Sequence, residues 1–145
     1  MAIRYLGHVV LKVRNLARSE RFYGDVLGLP VATRSRELGM VFFTLGDHHD
    51  LAIMEVGDQA PAADRAAPGL FHVAFNVGES LDELRAVKAR LEALGIPIDR
   101  VEDHTVSQSV YLDDPDGNGI ELYVDTSEAW KQDRSLVATV KPLAI

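Results

Sequence analysis

The spacing of apolar residues changes period several times along the chain, and each change marks a predicted element. Residues 6–13 alternate loosely and are rich in Val and Leu, which predicts a strand carrying His8. Asn15 is placed to cap the helix that follows. That helix carries Leu16, Phe22, Tyr23, Val26 and Leu27 on one side, and Gly28 ends it where a left-handed residue is wanted. Three strands are predicted next, at about 31–35, 40–45 and 50–56, with Gly46-Asp47-His48-His49 joining the last two. Residues 57–69 have no period and contain two prolines, and read as a linker.

Beyond the linker the pattern returns. Residues 71–77 predict a strand carrying His72, and Ser80 with Glu83 has the spacing of a capping box. Leu84, Val87, Leu91 and Leu94 form a helical stripe that Gly95 ends. Laid over each other, His8-Val-Val-Leu-Lys-Val13 matches His72-Val-Ala-Phe-Asn-Val77. Leu27-Gly-Leu-Pro30 likewise matches Leu94-Gly-Ile-Pro97, and Leu51-Ala-Ile53 matches Ile120-Glu-Leu122. A repeat at one constant order of elements is stronger evidence than any single element. It predicts an α+β fold: one domain over residues 1–145, with two β-α-β-β-β modules (4–56 and 70–125) related by a pseudo-two-fold axis around an open, barrel-like cleft. The tail, 126–145, carries Trp130 and Leu136-Val-Ala, and is expected either to pack over an edge or to meet another subunit.

The second module ends in the most informative stretch of the chain. Asp114-Pro115-Asp116-Gly117-Asn118-Gly119 concentrates backbone-reversing residues between two strands. Glu121 in the return strand lies between Ile120 and Leu122 and points the way of Tyr123. With both faces covered, its carboxylate must be paired, hydrogen-bonded or bound to a metal. Asp113, Asp114 and Asp116 lack the spacing of an EF-hand and read as turn formers.

Composition narrows the chemistry. At 145 residues, 47% hydrophobic and 26% charged, the chain is of ordinary globular make-up. A formal charge of −7 argues against nucleic acid and anionic membranes as partners. Cysteine is absent, so any metal must be held by His and carboxylate. No run of 18 or more apolar residues occurs, and a soluble, cytoplasmic protein is expected.

With the repeat, the His-bearing first strands and Asp-Pro-Asp-Gly-Asn-Gly-Ile-Glu together, residues 4–125 resemble the vicinal oxygen chelate superfamily. That superfamily includes glyoxalase I, bleomycin-resistance proteins, fosfomycin-resistance enzymes and type I extradiol dioxygenases. Two stretches resemble the extradiol dioxygenases most. One is His48-His49-Asp50-Leu51-Ala52-Ile53; the other is His104 followed by Val110-Tyr111, Asp114-Pro115, Gly117 and Glu121. Glu102 departs from the pattern, since a small or apolar residue is preferred two before His104.

The resemblance implies His8, His72 and Glu121 as metal ligands, and the equivalence of His8 and His72 in the repeat supports this independently. Ala52 takes the position of Glu121 in the first module, which leaves that corner to solvent and substrate. Two histidines and one carboxylate with open positions suit Fe(II), or Mn(II), and the resemblance implies O2 as co-substrate and a small aromatic diol as substrate. The resemblance further implies His49 as the acid–base group near dioxygen and His104 and Tyr111 as donors to the substrate oxygens. His48 reads as a solvated turn residue, and Glu55 as a poor fourth ligand. The alternatives are a glyoxalase-like isomerase or lyase and a metal-free aromatic-binding resistance protein. A homo-oligomer, a dimer, is expected, with sites shared within or between subunits.

Overall fold

The computed structural model describes residues 2–145. The chain divides into two units, the first ending at Ala63 and the second running from Asp64 to Ile145, so the division falls inside the predicted linker. The first unit contains β1 (Val9–Val13), α1 (Leu16–Arg21), β2 (Val31–Ser35), β3 (Met40–Phe43) and β4 (Leu51–Glu55). The second contains β5 (Val73–Gly78), α2 (Leu81–Ala93), β6 (Arg100–Asp103), β7 (Ser107–Asp113), β8 (Gly119–Asp125) and a two-residue β9 (Lys141–Pro142).

Both helices start where the caps predict. The Asn15 side chain accepts the Arg18 N–H at 3.0 Å, while the Glu55 carboxylate accepts the Leu16 N–H at 2.9 Å. This second bond accounts for Glu55: it caps a helix and lies three residues past the position equivalent to Glu121. At α2, Ser80 and Glu83 form the reciprocal capping box, with the Glu83 carboxylate accepting from the Ser80 hydroxyl at 2.7 Å and from the Glu79 N–H at 2.8 Å. The first helix departs from expectation after Arg21. It widens into a π-helical turn over Phe22–Val26, which buries Phe22 and Tyr23 together before Gly28 (φ +81°) ends it.

The first sheet is ordered β1-β4-β3-β2 and the second β5-β8-β7-β6-β9, both open. In each, the first strand runs parallel to the fourth and the others are antiparallel. The registers repeat around the positions equivalent to Ala52 and Glu121. Val10 pairs with Ala52 as Ala74 pairs with Glu121, and Phe42 pairs with Ala52 as Tyr111 pairs with Glu121. One face of the first sheet buries Leu11, Val13, Val41, Phe43, Leu51 and Ile53, with Tyr23 of the helical turn against Phe43. In the second unit Val110, Leu112, Ile120, Leu122 and Val124 are buried with Leu84 and Leu91 of α2. Alternation then puts Phe42 and Ala52 on the opposite face of one sheet, and Ser109, Tyr111 and Glu121 on the opposite face of the other.

Two expectations are corrected here. His8 and His72 do not lie within strands; each is the residue just before its strand, because the first ladder bond of β1 is the Val9 N–H to the Asp50 carbonyl. The strand expected to reach residue 45 ends at Phe43, since the Asp50 carboxylate takes the Leu45 N–H at 2.6 Å and folds that segment into a turn, and the strand expected to reach 56 ends at Glu55, with the Val56 N–H still bonded to the Val13 carbonyl at 2.9 Å. The tail takes the first of its two predicted courses. β9 pairs with the edge strand β6, Glu102 opposite Pro142 and Asp103 opposite Lys141, and the Leu143 N–H reaches the Val101 carbonyl at 3.1 Å. Among the described residues no helix is long and apolar enough to cross a membrane.

Candidate functional site

The second unit gathers most of the chemistry on one sheet face. The turn between β7 and β8 is tied by the buried Asp114, whose carboxylate accepts the Asp116 and Asn118 N–H groups at 2.8 Å each and the Asn118 side-chain amide at 2.8 Å. Gly117 adopts φ +87°, which the turn requires. The return strand then begins at Gly119, where a Cβ would stand 2.4 Å from the Phe71 carbonyl oxygen and 3.2 Å from the His72 Cβ. Only a residue without a side chain lets β8 approach so closely, and that approach brings Glu121 to His72.

His72 Nε2 and Glu121 Oε2 are 2.9 Å apart. The other carboxylate oxygen accepts the Ser109 hydroxyl at 2.6 Å, and both Ser109 and Glu121 are buried. His72 Nδ1 is buried without a hydrogen-bond partner. This corner fits a divalent cation: metal–ligand bonds of about 2.1 Å at right angles place two donors about 3.0 Å apart. Ser109 orients the carboxylate as the outer partner of a ligand would.

Beside this corner, Tyr111 stands opposite Glu121 in register, and its hydroxyl lies 2.8 Å from His104 Nε2. Burial first, then the Glu121 charge and a hydrogen bond to its carboxylate, push the Tyr111 pKa up to about 12, so the phenol keeps its proton. The Arg100 guanidinium lies over the Tyr111 ring, 3.9 Å from its centroid, and pairs with Glu102 at 3.2 Å. The structure therefore brings together His72, Glu121, Tyr111 and His104, four of the six predicted residues, in one unit.

The remaining two, His8 and His49, meet in the first unit. Their rings lie 4.1 Å apart between centroids, tilted by 36°, and His48 joins them, so that one nitrogen from each of the three lies within 4.8 Å of the others. His48 is exposed in its turn, as predicted, yet it is not isolated. Partial desolvation, then the charges of His8 and His48, lower the pKa of His49. Phe42, the counterpart of Tyr111, meets the His49 ring edge-on at 5.3 Å. Ala52 corrects an expectation: it is fully buried between its register neighbours Val10 and Phe42, not a corner left to solvent.

Three contributors were missed from sequence. Ser109 had a signal, since it shares a strand face with Tyr111 two residues on. Arg100 had one too, once β6 is paired so that it stands opposite Tyr111. The Thr139 backbone carbonyl, 2.8 Å from His104 Nδ1, had none.

The profile of the Glyoxalase/Bleomycin resistance protein/Dioxygenase superfamily matches residues 5–122. The chain belongs to this superfamily. Among curated members it is 36% identical to a catechol-2,3-dioxygenase of Bacillus subtilis (strain 168) over 132 residues, which is 90% of this chain and 45% of that protein. It is 32% identical to biphenyl-2,3-diol 1,2-dioxygenase 3 of Rhodococcus globerulus over 125 residues, 83% of this chain and 63% of that protein. The chain thus spans about half to two thirds of the length of these relatives. Among solved members, a lactoylglutathione lyase from Agrobacterium tumefaciens superposes with a TM-score of 0.66 at 29% identity, covering 85% of this chain and 95% of the other. The predicted superfamily and its paired β-α-β-β-β modules are thereby borne out.

Proposed function

We propose that the protein is an extradiol ring-cleaving dioxygenase of a catechol-type aromatic, with a non-haem Fe(II) held by His8, His72 and Glu121. The observation that carries this reading is the half-buried His72–Glu121 corner, with donors 2.9 Å apart and a serine orienting the carboxylate. Similarity to two proteins named as dioxygenases of aromatic diols supports the substrate class. Bound iron would supply binding positions for both hydroxyl oxygens of the diol and for O2, and electron transfer between them.

The chain's own residues then handle protons and position. The reading requires His8 and His49 of the first unit to meet the second-unit corner, from the same chain or from a partner copy. His49 takes a proton near the oxygen site and returns it, a task suited to an imidazole. Tyr111 and His104, hydrogen-bonded to each other, present a polar edge to the substrate oxygens, while the Arg100 guanidinium holds the Tyr111 ring in place. Substrate and oxidant held on one framework meet with their encounter entropy already spent.

A glyoxalase-type isomerase is the second reading, favoured by the likeness to the lactoylglutathione lyase. Against it, the position a fourth ligand would take is the buried methyl of Ala52, and Glu55 is engaged at the start of α1. The test is oxygen uptake by anaerobically iron-loaded protein across a panel of catechols, with ring-opened product followed in parallel. Uptake matched by product is expected. No uptake with any catechol, together with turnover of a hemithioacetal under anaerobic conditions, would reject the proposal in favour of the second reading.

A further inference from the structure

Glu102 is the residue at which the chain departs from the extradiol pattern, and the second sheet places it on the face that carries the site. Strand pairing arranges that face in two rows. Arg100, Tyr111, Glu121 and Ala74 stand side by side across β6, β7, β8 and β5, and Glu102, Ser109, Tyr123 and Asn76 form the adjoining row. Residues paired in this way project to the same side of a sheet. Glu102 therefore stands opposite Ser109, the serine whose hydroxyl donates to Glu121 at 2.6 Å. Its side chain is 20% exposed, so it is partly desolvated yet reachable from the face.

The two rows hold one guanidinium against two carboxylates. Arg100 is fully engaged: it pairs with Asp99 at 2.6 Å and with Glu102 at 3.2 Å, and it lies over the Tyr111 ring. A carboxylate arriving as a ring substituent finds its cation already neutralised and meets the charge of Glu102 instead. Glu102 has an oxygen to offer in the other sense. Oε1 pairs with Arg100, while Oε2 stands 3.7 Å from His104 Nε2, beyond hydrogen-bonding distance. An ammonium group, which brings three donors and no acceptor, suits that oxygen. With the small or apolar residue of the extradiol pattern at this position, Arg100 would keep Asp99 alone and present a side to an anion.

We propose that Glu102 is a specificity-determining residue. It selects aromatic diols whose ring substituent carries an ammonium group and disfavours those whose substituent carries a carboxylate. The inference rests on the reading of the protein as a diol-binding dioxygenase and narrows its substrate class.

The test uses three probes that share one ring and are similar in size: dopamine, 4-ethylcatechol and 3,4-dihydroxyphenylacetate. Dissociation constants are measured on anaerobic, iron-loaded protein, and kcat and KM by oxygen uptake. Relative to the neutral probe, dopamine is expected to bind about tenfold more tightly and the acid about tenfold more weakly. Glu102→Gln should shrink the dopamine-to-acid ratio at least about tenfold, through KM and not kcat, with circular dichroism confirming the fold. Asp99→Asn loosens Arg100 without touching Glu102, and the ratio should stay within about twofold of the unsubstituted chain, as suits an exposed ion pair. An equal shift in both variants would assign the preference to the release of Arg100 and reject the role of Glu102. An unchanged ratio in Glu102→Gln, or tightest binding of the acid by the unsubstituted chain, overturns the proposal as well. Binding in the expected order without oxygen uptake would reject the dioxygenase reading and leave the assignment of Glu102 standing; no binding of any probe would overturn both.

Discussion

The β3–β4 pair of the first unit and the β7–β8 pair of the second are the same structure with different contents. Phe42 faces Ala52 in one; Tyr111 faces Glu121 in the other, in identical register. Met40 stands where Ser109 stands, and Asp50 where Gly119 stands. The inward faces of both pairs are apolar and interchangeable in kind, because all that burial asks of them is volume and lack of charge. On the other face, Tyr111, Glu121 and Ser109 stand where the first unit has Phe42, Ala52 and Met40, and Gly119 in place of Asp50 lets His72 pack closely. A duplicated frame can thus hold its stability in one set of positions and change its chemistry in another.

Copying the first unit's contents into the second tests that division, most severely at Glu121. Glu121→Ala reproduces Ala52. Under the proposed function it should abolish stoichiometric metal binding and lower catechol-dependent oxygen uptake by more than about 100-fold, a larger loss than an outer partner produces, while circular dichroism shows the sheet intact. Retained metal at full stoichiometry would break the comparison. Gly119→Ala comes next, because the added Cβ meets a backbone carbonyl at 2.4 Å that has no rotamer to yield. A cost of about 1–3 kcal/mol in denaturant unfolding is expected, with weaker metal binding as His72 is pushed away. Asp50 at the equivalent position of the first unit shows that no such approach is needed there.

Ser109→Ala should be milder. It removes the hydroxyl that donates to Glu121 at 2.6 Å, and metal affinity measured by equilibrium titration should fall about 10- to 100-fold with little change in stability. The smallest effects belong to the helix caps, where the two units use different residues for one task. Ser80→Ala should cost about 1 kcal/mol of stability and leave metal affinity unchanged. Hydrogen bonds from the Ser80 hydroxyl and the Glu79 N–H lower the pKa of Glu83. Its contribution is therefore present above the ordinary Glu value of about 4.3 and lost as pH falls below it. Glu83→Gln should flatten that part of the stability–pH curve; an unchanged slope would remove Glu83 from the account.

Much of this was legible along the chain. Asn15, Ser80 and Glu83 bond their nearest neighbours, and the Asp114–Gly119 turn closes within six residues, so local chemistry sufficed to read them. The repeat was legible because alternation of period 2 and stripes of period 3.6 recur in one order. His8 and His72 were recognisable as equivalents, although each sits just outside the strand expected to carry it. The buried state of Ala52 was not legible, since it depends on Val10 and Phe42 arriving from two other strands. The same holds for Arg100 on Tyr111 and for the engagement of Glu55 with the start of α1, 39 residues away in sequence.

By itself, then, the sequence determined the modules, their order, the turn before Glu121 and the residue types able to hold a cation. These follow from backbone preferences and spacing that act over a few residues. Tertiary structure alone decided that Gly119 lets β8 close on His72, that Ser109 orients the carboxylate, and that the tail returns to the β6 edge to place the Thr139 carbonyl on His104. Such contacts join residues far apart in the chain, and a backbone carbonyl carries no side-chain identity by which its role could be read in advance.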